Sequence, residues 1–149
     1  MNYNFLSATR LMFKTIVIIF ACAVFASGQA RIHGTVTAVL DGQTVEVLTG
    51  NNKLAVKLQG FEAPVEGQEL FEIVVEHLRL LALGKAVTVH ISRLDPDVVT
   101  AFVTTRERDL SQQMLRDGGG WLLQEELTTF GTELIAQYKG LQDLAKKEK

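Results

Sequence analysis

Cysteine is almost missing from this chain: Cys22 is alone among 149 residues, which rules out an internal disulfide. Proline is confined to Pro64 and Pro96, so there is no proline-rich linker, and no internal repeat or low-complexity tract stands out. Trp121 is the lone indole. No apolar run reaches the roughly 20 residues of a comfortable membrane-spanning helix. Basic blocks are lacking too, apart from Lys146, Lys147 and Lys149 at the end, so no linear nucleic-acid track is evident. The remaining composition, 47% apolar and 21% charged, is that of one globular domain.

The first 30 residues read differently from the rest. Arg10 and Lys14 precede the apolar run Thr15–Phe25, and Ala26-Ser27-Gly28-Gln29-Ala30 supplies small residues. A positive segment, a short apolar core and a small-x-small site make a secretory signal. Residues 1–30 are therefore expected to be cleaved, after Ala30 or Gly28, leaving a domain at 31–149. The expected location is secreted or periplasmic, with no stable membrane insertion after cleavage. An uncleaved membrane anchor is the lesser alternative. The leader carries two of the 15 basic residues and none of the 17 acids, so the domain keeps 13 against 17, a formal charge of −4. That balance disfavours non-specific binding of phosphate backbones.

Residues 32–40, 44–49 and 53–61 read as strands separated by Asp41-Gly42 and Gly50-Asn51-Asn52, which tolerate tight turns. A helix is expected from Glu66 to Leu83, with Leu70, Ile73, Val74, Leu78 and Leu81 as its apolar stripe. Val87, Val89 and Ile91 alternate as a fourth strand, and a fifth runs from Val98 to Thr104 after Asp95-Pro96-Asp97. A short helix at 110–117 ends in Gly118-Gly119-Gly120, and a last helix is expected from Thr129 to Lys147. The fold class is α+β, with a five-stranded OB-type barrel and three packed helices as a natural closure.

Four strings, in order, carry a resemblance. Asp41-Gly42-Gln43-Thr44 resembles the DGDT motif of the thermonuclease (staphylococcal-nuclease-like) family. Val56-Lys57-Leu58-Gln59-Gly60-Phe61-Glu62-Ala63-Pro64-Val65 resembles its V-R-L-x-G-I-D-A-P-E string. Leu83-Gly84-Lys85-x-Val87 and Asp109 to Trp121 resemble its next two segments. The resemblance spans residues 32–149 and implies a domain shortened at its C-terminus, because the family's G-x-W ending does not follow.

The family's nucleases use calcium held by two carboxylates, a glutamate proposed as base, and two arginines on the phosphate. Metal and guanidinium serve to stabilise charge developing on phosphate oxygens. By resemblance, the first calcium carboxylate is replaced by Gln43, a neutral amide and a poor partner for a hard cation. The first arginine is replaced by Lys57, which lacks the bidentate fork. Glu62 stands for the second carboxylate, Val65 for the base, and Val99 (within one residue) for the second arginine. Arg93 and Arg106 lie too far along the chain to take that place. The resemblance therefore implies a pseudoenzyme, with no catalytic residue, metal or cofactor expected.

Asp41, Gln43 and Glu62 remain weak metal candidates, with calcium the cofactor if nuclease activity survives. Asp41, Lys57, Glu62 and Trp121 are ligand-binding candidates. Asp41 reads equally well as a turn residue, and Trp121 as packing against the barrel. Gln124 and Glu126 lie where the family often presents tyrosines. His33 and His90 read as surface or partly buried, and His77 as solvated. The glycine triplet lacks the Lys-Ser/Thr of a phosphate loop. The leading expectation is a non-catalytic binding module outside the cytoplasm, with an unknown protein or small ligand as partner. One alternative is a calcium-dependent nuclease of DNA or RNA with an altered site. Another is single-stranded nucleic-acid binding without cleavage, provided Lys53, Lys57, Lys85 and Arg93 converge.

Overall fold

The computed structural model describes residues 30–106 and 108–148. The leader expectation lies, except for Ala30, outside the described residues.

Strands β1 (Arg31–Val39), β2 (Thr44–Thr49) and β3 (Asn52–Leu58) form an antiparallel meander. Alternation along these strands directs Val36, Val45, Val47, Val56 and Leu58 into the interior, where each is fully buried. Strand β4 (Phe61–Glu62) is short, and helix α1 (Phe71–Ala82) carries the chain to β5 (Ala86–Leu94) and β6 (Val99–Thr104). The order β1-β2-β3-β6-β5 closes on itself, with β3 and β6 parallel through Val56↔Val99, Lys57↔Thr100 and Leu58↔Ala101. Closure removes the unpaired edges of an open sheet. This is the expected five-stranded OB-type barrel in an α+β fold.

Helices α2 (Leu110–Arg116) and α3 (Thr132–Lys147) pack with α1 around the barrel. Asp109 caps α2, its Oδ1 accepting the Gln112 N–H at 2.9 Å and the Tyr138 hydroxyl at 3.2 Å. Tyr138 is fully buried and ties α3 to this cap. Strand β7 (Trp121–Leu122) pairs with β4, and a 3-10 turn covers Gln124–Phe130. Among the described residues, no helix is long and apolar enough to cross a membrane.

Several boundaries differ from expectation. The first helix begins at Phe71 rather than Glu66, because Gly67 and Leu70 both have positive φ (87° and 70°) and hold residues 66–70 in turns. Its buried face is Val74, Val75, Leu78 and Ala82, whereas Leu70 and Ile73 point outward, Ile73 being 66% exposed. The third strand stops at Leu58, since Gly60 (φ 85°) turns the chain before Phe61. The last helix starts at Thr132, as residues 124–130 wind as the tighter 3-10 turn first.

Candidate functional site

The β1–β2 turn is built around Asp41. Its Oδ1 accepts the N–H of Gln43 at 2.8 Å, a side-chain turn bond of the kind that favours aspartate there. Gly42 lies so close to the next segment that a Cβ would stand 2.8 Å from the Ala63 Cβ. Gln43 completes the join. Its side-chain Oε1 accepts the Ala63 N–H at 3.3 Å and its carbonyl accepts the Leu58 N–H at 2.8 Å. Asp41, Gln43, Lys57 and Glu62 thus come together at one end of the barrel, with Thr44 opposite Lys57 in the β2–β3 ladder.

Glu62 is half-buried on β4, and its Oε2 accepts the indole N–H of Trp121 at 3.3 Å. Gly120 permits this approach, since a Cβ there would stand 2.2 Å from the Glu62 carbonyl. Trp121 is 45% exposed beside Glu62, so its ring is only partly packed against the protein. Val65 lies on the following loop and is 54% exposed. Its main chain is bound on both sides by Gln68, through the Val65 N–H to Oε1 at 2.9 Å and the Gln68 N–H to the Val65 carbonyl at 3.0 Å. A hydrocarbon side chain there takes up no proton. Val99 is 7% exposed within the barrel core, opposite Val56 and Leu94.

Lys57 is not free. Its Nζ lies 3.7 Å from Oε1 of Glu126, whose Oε2 accepts the Gly60 N–H at 3.0 Å. The Glu126 carbonyl also accepts from Gln59 Nε2 at 2.9 Å. The 3-10 turn is thereby fastened over the β3–β4 bend. Arg93, set aside on sequence spacing, arrives at the same place from β5: its Nη2 donates to Thr100 Oγ1 at 3.3 Å, and Thr100 is the ladder neighbour of Lys57. Asp95 accepts from Arg93 Nε at 2.9 Å and is the main cause that raises the guanidinium pKa; Glu126 adds to it.

The placing of Lys57 and Arg93 on either side of Thr100 was hidden in sequence because it depends on barrel closure, although the Asp95-Pro96-Asp97 turn marks the fold-back of β5 on β6. Lys53 pairs with Glu46 at 2.9 Å, and Lys85 precedes the start of β5 while Arg93 lies near its end. The four cations considered for a nucleic-acid face therefore do not converge. His77 differs from its solvated expectation, since it joins Asp117 at 2.8 Å and links α1 to the end of α2. Among the described residues, no group of three His, Cys, Asp or Glu side chains is arranged to hold a metal.

No family model matches the chain. It is 29% identical over 98 residues to a protein named "Uncharacterized endonuclease" from Escherichia coli, and equally so to one of the same name from Escherichia coli O157:H7. The chain spans 64% of the length of each relative, and the match covers 64% of this chain. The chain thus combines a closed OB-type barrel with a low-identity likeness to endonuclease-named bacterial proteins.

Proposed function

We propose that this chain is a nuclease-related OB module that binds a protein or small ligand outside the cytoplasm without cleaving nucleic acid. The observation that carries the reading is the commitment of Lys57 to Glu126, which neutralises the cation standing where the thermonuclease-like pattern places a phosphate-binding arginine. Val65 at the base position and Gln43 as a structural acceptor for Ala63 support it. The extracellular setting rests on the leader-like residues 1–30.

The test is incubation of the full chain with end-labelled single-stranded DNA and RNA, with calcium and with chelator. The expected result is no cutting above a heat-inactivated control. Calcium-dependent cutting abolished by Glu62→Gln overturns the reading. A second reading, an altered-site nuclease, draws on the relatives' names and on the approach of Arg93 to the Lys57 side. Under it, both Glu62→Gln and Arg93→Gln lower a calcium-dependent rate.

A further inference from the structure

Helix α1 carries apolar side chains on two sides. Val74, Val75, Leu78 and Ala82 are buried, whereas Ile73 and Leu80 point outward, 66% and 71% exposed. Leu70 before the helix and Leu83 at its end are half-exposed as well. These four belong to a set of nine large apolar side chains left exposed among the described residues, so such surface is concentrated on one element. A surface helix ordinarily confines its apolar residues to the face it buries. The outer side of α1 therefore has the composition of a face that something covers.

Its geometry narrows what that is. Ile73 and Leu80 are seven residues apart, which sets them within about 20° of one another around the helix and about 10 Å apart along it. Glu76 and His77 stand between them, and with Glu72 these residues line an open hollow of about 420 Å³. Positions i, i+3, i+4 and i+7 of a helix surround the hole that receives a knob side chain from a facing helix. Ile73, Glu76, His77 and Leu80 have that spacing. His77 is held by Asp117 at 2.8 Å, which fixes one wall. The opposite flank carries the exposed carboxylates of Glu72 and Glu76, with Glu66 and Glu69 in the turn that leads into the helix. Arg79, paired with Glu76, is the one Lys or Arg among residues 66–82.

We propose that the outer side of α1 docks an amphipathic helix of another protein, whose apolar knob fills this hollow and whose lysines or arginines lie along the Glu72–Glu76 flank. Charges at the positions beside a helix–helix seam set partner choice, and acids there select a basic partner. A second copy of this chain is the wrong occupant. Antiparallel pairing of Ile73 with Leu80 of the other copy brings Glu76 beside its own counterpart, and like charges repel. The same acids turn away anionic lipid. The face lies on the side of α1 opposite its buried residues, so docking here goes beyond the reading of the Asp41–Glu62 end and holds whether or not that end cleaves.

The experiment is fluorescence anisotropy of a labelled designed helix of about 18 residues, with leucine at the a and d positions and lysine at e and g, titrated with the full chain in ~0.1 M salt. The parent is expected to bind it, and to bind the same helix with glutamate at e and g at least about tenfold more weakly. Ile73→Ser and Leu80→Ser each remove a wall of the hollow and are expected to weaken binding about tenfold, as truncation of an apolar anchor does. Leu94→Ser, at an equally exposed leucine on β5, is expected to bind as the parent does. Glu72→Gln/Glu76→Gln should weaken binding and flatten its salt dependence, whereas Glu125→Gln/Glu133→Gln, two exposed acids elsewhere, should do neither. All these variants change exposed side chains, so their circular dichroism is expected to match that of the parent. Absence of binding by the parent overturns the inference, as does equal binding of the glutamate helix or equal weakening by Leu94→Ser. Concentration-dependent self-association in sedimentation that Leu80→Ser abolishes also overturns it, in favour of a second copy.

Discussion

Lys57 and Glu126, 69 positions apart in sequence, form an ion pair with Nζ 3.7 Å from Oε1, and the other carboxylate oxygen caps the Gly60 N–H at 3.0 Å. A barrel lysine, a turn amide and the 3-10 segment are thus joined through one side chain. Both partners are mostly buried, so the pair is screened less than a surface one.

Glu126→Ala removes both contacts and leaves the Gly60 N–H and Lys57 without their acceptor. The expected cost is about 2 kcal/mol in urea unfolding, within the range for hydrogen bonds to charged groups. Glu126→Gln retains an acceptor for Gly60 and is expected to cost about half as much. Equal stability of Glu126→Ala and the parent would show that the carboxylate does not fasten the turn.

Asp109 gives a pH dependence of definite sign. Burial pushes its pKa up to about 6, against the opposing hydrogen bonds from Gln112, Tyr138 and Ser111. The folded state therefore holds this proton more tightly than the unfolded chain, whose aspartate titrates near 3.9. The stability that the proton contributes is fully present below about pH 4 and is lost as pH rises through about 6. A gap of about two units corresponds to about 3 kcal/mol. Asp109→Asn keeps a cap acceptor and cannot titrate. In unfolding measured from pH 3.5 to 7.5, the parent should lose stability relative to Asp109→Asn across that window, and parallel curves would refute the assignment.

Gly120→Ala places a methyl group against the Glu62 carbonyl and should pry β7 from β4. Overpacking of this kind costs about 1–3 kcal/mol. Trp121, the sole tryptophan, reports it directly, because loss of its bond to Glu62 changes the indole emission. The same emission change is expected from Glu62→Leu with little loss of stability, whereas unchanged emission in both variants would place the indole away from that carboxylate.

Val99→Arg places a guanidinium where the thermonuclease-like resemblance sets its second arginine. Val99 is in the barrel core, so the variant buries a charge without a partner and should lose more than about 3 kcal/mol, read as a collapse of the melting temperature. A variant that folds as stably as the parent would mean that the side chain turns out to solvent from this position.

The strands were readable because β-branched residues alternate between turn signals, as in Val45 and Val47 between Asp41-Gly42 and Gly50-Asn51. The α1 start was not readable, because nothing in Glu66–Leu70 signals that Leu70 will adopt a left-handed backbone. Helical periodicity likewise counted Ile73 as core, although the barrel touches only the Val74, Leu78 and Ala82 side. At the candidate site, Asp41 and Gln43 were legible as a turn pair because their contacts are local. Glu126 and Arg93 acquired their places through contacts across the barrel, which no spacing rule encodes.

The chain by itself determined its strand and helix pattern, its lack of disulfide support, and the residue types at each matched position, since these depend on local propensity and side-chain chemistry. Only the tertiary structure decided which charges meet. Parallel pairing of β3 with β6 and return of β5 to β1 and β6 set Lys57 and Arg93 on either side of Thr100, and place Arg31 across from His90. The physical reason is that electrostatic interactions act over a few ångströms in space, and a closed barrel makes neighbours of residues far apart in sequence.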